Sequence, residues 1–185
     1  MPNQIAGLLN TIDADKATLD AARPLPRHTV ASLREKLMLE WTYHSNAIEG
    51  ASTTPPDFLH PPAEMAALIT WYETAGNMHP VERAAELHTR FVKIHPFVDG
   101  NGRTGRLLLN FELMKASYPP AIIRKEDRLA YYAALDKACV SGDYSDTARL
   151  AAESVQRSLD NYLDVLGLRR ATAPDTAPPS PGSGM

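Results

Sequence analysis

Apolar residues in this chain recur at intervals of three and four, and almost nowhere at intervals of two. Val81, Ala84, His88 and Phe91 follow that spacing, as do Leu107, Phe111 and Met114, and later Leu159, Tyr162 and Leu166. Each set therefore lies along one helical face, whereas a half-buried strand would need strict alternation. The pattern predicts helices near 4–21, 29–47, 62–75, 80–94, 102–116, 126–139 and 144–167, and no strand. The expected fold class is all-α. Breakers fall where this division needs them. Pro24 and Pro26 separate the first two helices, and Pro55, Pro56, Pro61 and Pro62 mark an irregular stretch near 50–62. Pro119 and Pro120 close the helix that follows Arg106, and Asp143 and Ser145 are candidates for starting the last one.

The chain has 185 residues, of which 44% are hydrophobic, enough for a real core. Three regions are expected: N-terminal helices over 1–50, a core over 51–168, and a tail over 169–185. From Ala171 the composition turns to Pro, Ala, Ser and Gly, which predicts disorder there. The net charge of -3 points to neither a nucleic-acid nor a membrane-surface partner. The single cysteine, Cys139, excludes an internal disulfide and a thiolate cluster. The N-terminal residues lack the basic start and apolar run of a secretory signal. No apolar run approaches the roughly 20 residues that span a bilayer. A cytoplasmic protein is the expectation.

One stretch carries chemistry. Residues 95–106 read His-Pro-Phe-Val-Asp-Gly-Asn-Gly-Arg-Thr-Gly-Arg. Pro96, Gly100 and Gly102 force a tight loop between two helical runs, and a helix restarts near Gly102. Backbone N–H groups at a helix start, beside glycines that allow close approach, form an anion cradle. Arg103 and Arg106 are one turn apart and can face the same anion, which suggests a polyphosphate. Asp99 is a hard carboxylate at the cradle's edge, suited to Mg²⁺ shared with phosphate oxygens. His95 is the obvious general base. Gly100, Gly102 and Gly105 also fit G-x-G-x-x-G. The strand that a dinucleotide-binding unit needs before that pattern is missing, as is the P-loop sequence. His88 sits on the apolar face of its helix and reads as structural.

These twelve residues resemble the signature of the Fic family, H-P-F-x-[D/E]-G-N-G-R-x-x-R, at every specified position. The runs from about His79 to Leu166 and from about Ile5 to Gly50 are similar to the family's core helices and N-terminal portion. The resemblance implies a Fic-type helical bundle with the catalytic loop between two central helices. It implies a protein adenylyltransferase that moves AMP from ATP to a Ser, Thr or Tyr hydroxyl of an unknown target protein. His95 would be the base and Asp99 the Mg²⁺ ligand. Gly100, Asn101 and Gly102 would form the anion hole, and Arg103 and Arg106 would hold phosphates. Tyr131 matches a position near the adenine, and Cys139 falls where relatives often carry an Asn that contacts the base.

Ser45-Asn46-Ala47-Ile48-Glu49-Gly50 resembles the family's inhibitory pattern, [S/T]-x-x-x-E-[G/N]. The resemblance implies that Glu49 pairs with Arg106 and holds ATP in an unproductive pose. Many relatives dimerise, so it also allows a homodimer, although nothing in the chain itself demonstrates one. The chain departs from the family between Gly50 and Pro61. Intervening helices and the first strand of a target-aligning flap are missing, and their loss exposes apolar surface that the family core buries. Two other functions stay open on these residues: removal of AMP in the same pocket, and nucleotide binding by a regulatory protein that has lost catalysis.

Overall fold

The computed structural model describes residues 2–49 and 62–169. Seven helices carry the described fold: α1 Pro2–Ala21, α2 Arg27–Glu49, α3 Pro62–Thr74, α4 Pro80–Ile94, α5 Asn101–Lys115, α6 Arg128–Ser141 and α7 Ser145–Val165. Among the described residues there is no strand. The all-α expectation therefore holds, and each expected helix is present with small shifts at its ends. The departure from the family between Gly50 and Pro61 and the expected disordered tail from Ala171 lie outside the described residues. No described helix is long and apolar enough to cross a membrane.

Local chemistry explains the helix starts. His79 caps α4: its Nδ1 accepts the Val81 N–H at 3.2 Å, and Pro80 follows at the first helical position. The other ring nitrogen of His79 lies 3.2 Å from Asp13 on α1, so one imidazole starts α4 and ties it to α1. At the last helix, Asp143, one residue before the cap position Tyr144, accepts the Ser145 N–H on Oδ1 at 2.9 Å, and Ser145 is already helical.

The core lies where α1, α4, α5, α6 and α7 meet. Ile12, Val81, Leu113, Val155 and Leu159 are fully buried in it, and Ile48 joins from α2. Each such side chain contributes about 1.5–3 kcal/mol by leaving water. Leu68 on α3 packs with Leu87, Phe91 and Ile94 in a second cluster over the outer face of α4. A buried amide holds the segment after α5. Asn110 Oδ1 accepts the Ala121 N–H at 2.7 Å and its Nδ2 donates to the Ala121 carbonyl at 3.1 Å.

A buried acid, Glu112, sits between α3, α4 and α5. Its Oε1 accepts from Tyr72 at 2.6 Å and from Lys115 at 2.7 Å, and Arg83 Nη2 lies 3.0 Å from Oε2. Burial pushes the carboxyl up, but the hydrogen bonds from Lys115 and Tyr72 outweigh it and hold the group below its ordinary value.

One face behaves differently from its sequence pattern. Leu107, Phe111 and Met114 do line one face of α5, yet they are 56%, 58% and 49% exposed. The buried face of α5 carries Leu109, Asn110, Glu112 and Leu113 instead. Two of those four are polar, so the apolar spacing marks the wrong side of this helix.

The approach of α4 to α5 positions the loop between them. At Gly105 a Cβ would stand 2.7 Å from His88 Nδ1 and 2.7 Å from Val92 Cγ2. Only glycine lets the helices come this close. Gly105→Ala is expected to destabilise the fold by about 1–3 kcal/mol through overpacking. Urea denaturation checks this, and an unchanged midpoint would contradict the close packing.

Candidate active site

His95 ends α4. Its backbone takes the left-handed conformation, φ 54° and ψ 52°, while its N–H still bonds the Phe91 carbonyl at 3.1 Å. A non-glycine residue pays strain there, and such strain often marks functional sites. The step turns the chain out of the helix axis and into Pro96.

The loop is then pinned by Asn101. Its Oδ1 accepts the Phe97 N–H at 2.8 Å and its Nδ2 donates to the Phe97 carbonyl at 2.5 Å. Asn101 is buried, so this paired contact staples the loop to the first turn of α5. Gly100, with φ 85°, is the residue before α5, and the glycine conformation lets the helix begin abruptly. The first intrahelical bond runs from Thr104 N to the Gly100 carbonyl at 2.8 Å. The N–H groups of Asn101, Gly102 and Arg103 precede it and stand at the positive end of the helix. Asp99 and Arg103 flank them. Asp99 Oδ1 accepts the Gly100 N–H at 2.6 Å, and Oδ2 accepts from Arg103 Nη2 at 2.8 Å. Both side chains are exposed, so their mutual attraction is weak and a stronger ligand can displace it.

Arg106 is set deeper. It is 2% exposed, and its Nε and Nη2 donate to the Ser45 hydroxyl at 3.0 Å and the Ser45 carbonyl at 2.8 Å. Its Nη1 donates to the Tyr131 hydroxyl at 3.3 Å. That hydroxyl lies 3.1 Å from His88 Nε2, and the two rings stack with centroids 5.7 Å apart. Burial, and then the charge of Arg106, push the His88 pKa down to about 4.

The structure thus brings together most of the residues singled out in the sequence. His95, Asp99, Gly100, Asn101, Gly102, Arg103 and Arg106 share one loop and one helix start, and Ser45 reaches Arg106 from α2. The side chain of Glu49 lies outside what is described, although the backbone of α2 runs through it. Tyr131 is 3% exposed, and its hydroxyl meets Arg106 and His88, so it stands beside the buried guanidinium. Two residues gain importance: His88 as the buried end of this chain of contacts, and Gly105 as the glycine that admits it. His88 could have been found from its place one turn plus on the apolar face of α4. Gly105 looked only like part of a dinucleotide pattern.

A family model described as the Fic/DOC family matches residues 13–113, more than half of the chain. The chain belongs to the Fic/DOC family. It is 40% identical over 127 residues to the protein adenylyltransferase Fic of Drosophila ananassae, covering 65% of this chain and 24% of that one. The chain therefore spans about a quarter of the length of the curated relatives it matches. Among solved structures, Fic-1 from C. elegans superposes with a TM-score of 0.73 at 23% identity, over 86% of this chain and 71% of that chain. A Fic domain containing signaling protein from Bacteroides thetaiotaomicron gives 0.62 at 23% identity, over 87% and 92% of the two chains. The fold is thus a Fic-type helical bundle, with the loop between α4 and α5.

The depressed pKa of His88 has a sign that can be checked. The unfolded ring takes a proton below its ordinary 6.5, whereas the folded ring does so only near pH 4. Stability is complete above pH 6.5 and falls as pH drops toward 4, by roughly 3 kcal/mol over the interval. His88→Gln is expected to flatten the melting temperature between pH 6.5 and 4.5, above the carboxylate range. An equally steep decline in that variant would contradict a neutral buried His88.

Proposed function

We propose that this Fic/DOC chain transfers AMP from ATP to a hydroxyl group of a protein, with His95 as the base. The observation that carries the reading is the start of α5. Three backbone N–H groups, an exposed arginine and a buried one lie in the first turns of α5, one short loop after a histidine held in a strained turn. That set matches a polyphosphate with an acceptor beside it. Relatives named as protein adenylyltransferases support the same reaction class.

The step needs few parts. His95 takes the proton of the acceptor hydroxyl as its oxygen attacks the α-phosphorus. The bond from that phosphorus to the bridging oxygen breaks, and pyrophosphate leaves with the electron pair. Charge on the phosphate oxygens is met by the N–H groups of Asn101, Gly102 and Arg103 and by the Arg103 and Arg106 guanidiniums. Among the described residues no group of three or more metal-ligating side chains exists. A fully protein-bound metal does not fit, whereas Mg²⁺ held by one carboxylate and phosphate oxygens does. Asp99 would hold it, and the ion would supply neutralisation of phosphate charge.

Glu49 is the brake in this reading. Ser45 binds Arg106 directly, and α2 continues unbroken for one turn to Glu49, which brings the end of α2 to the second arginine. The test uses α-labelled ATP with Mg²⁺ and follows label on protein by gel. Glu49→Gly is expected to raise labelling, and adding His95→Ala is expected to lower it at least about a hundredfold. Labelling that survives His95→Ala overturns the base assignment. Equal labelling with and without Glu49 overturns the brake.

A further inference from the structure

Away from the loop, a cavity opens where α1 turns into α2, with a volume of about 870 Å³. Met114 and Ser117, at the C-terminal end of α5 and just past it, are among its lining residues. Arg103 lies eleven residues earlier on that helix, about 16 Å away along its axis. The catalytic loop does not line this cavity.

Its lining is amphipathic. Leu25, Val30 and Met114 offer apolar surface, and Arg23, Arg27 and Arg34 supply three cations. No carboxylate lines it. Arg23 shares Asp20 with Lys16, at 3.0 and 2.7 Å, so one acid serves two cations. Arg27 and Arg34 have no ion-pair partner among the described residues. They lie two turns apart on one face of α2, so both address the same space. Arg34 and Arg23 both act electrostatically on Tyr162, which also lines the cavity. Arg27 also opens α2, whose first turn holds no acidic residue. A cation there opposes the helix dipole unless an anion sits beside it. Like charges gathered around an apolar floor are unfavourable alone and complementary to one chemistry.

We infer that this cavity binds a small amphiphilic organic anion, with its acid group clamped by Arg23, Arg27 and Arg34 and its apolar body against Leu25, Val30 and Met114. A volume of this size suits a ligand of metabolite dimensions. Inorganic anions alone would use the cations and leave the floor wet. The site is separate from the cradle at α5, and the inference stands whether or not AMP transfer does.

The probe is phenyl phosphate, titrated into the full ¹⁵N-labelled chain and followed by amide shifts. Inorganic phosphate and benzyl alcohol are the comparisons. Saturable shifts are expected at Val30–Arg34 and Ser117–Tyr118, with affinity at least about tenfold above either comparison. Arg27→Gln with Arg34→Gln is expected to weaken these shifts at least about tenfold while leaving any shifts at Gly100–Arg106 in place. Arg27→Lys with Arg34→Lys is expected to keep most of the affinity. Both arginines are exposed, and circular dichroism checks that the variants fold. Shifts confined to Gly100–Arg106, equal affinity for inorganic phosphate, or undiminished binding by the glutamine variant would each overturn the site.

Discussion

The close approach of α4 and α5 at Gly105 is the contact on which the candidate site depends. Because no side chain stands there, the His88 ring fits against the backbone of α5. His88 then meets Tyr131, and Tyr131 meets Arg106, so one missing Cβ sets the depth of the arginine that follows it. The same approach fixes the distance the loop must bridge, from the left-handed step at His95 to the helix start after Gly100. Asn101 closes that span from within.

The two arginines are held by different physics. Arg103 is exposed and paired with an exposed acid, an arrangement that costs little to break. Arg106 is buried, and its hydrogen bonds to the Ser45 hydroxyl, the Ser45 carbonyl and the Tyr131 hydroxyl would have to be lost before it moved far. Its contact with Ser45 makes α2 a structural partner of the loop.

Much of this was legible in the chain. The helices were readable because their apolar residues repeat and their ends carry prolines and caps. The loop was readable because Pro96, Gly100 and Gly102 make it irregular while His95, Asp99, Arg103 and Arg106 make it reactive. What escaped depends on contacts between distant positions. Gly105 and His88 are seventeen residues apart, and nothing local ties them together. Tyr131, expected near a base by resemblance, meets Arg106 and His88 across three helices, contacts that no local pattern announces. On α5 the apolar stripe misled, since Leu107, Phe111 and Met114 face outward while Asn110 and Glu112 are buried with polar partners. A buried acid in an amphipathic helix cannot be told from a surface one until Tyr72, Arg83 and Lys115 are seen around it.

The most direct measurement of the central claim is a titration of ATP with Mg²⁺ into the ¹⁵N-labelled chain, read at individual amides. If the start of α5 is a polyphosphate cradle, Asn101, Gly102 and Arg103 shift first and most, and the shifts saturate. If ATP leaves those three amides where they were while the chain stays folded, the loop does not hold a nucleotide.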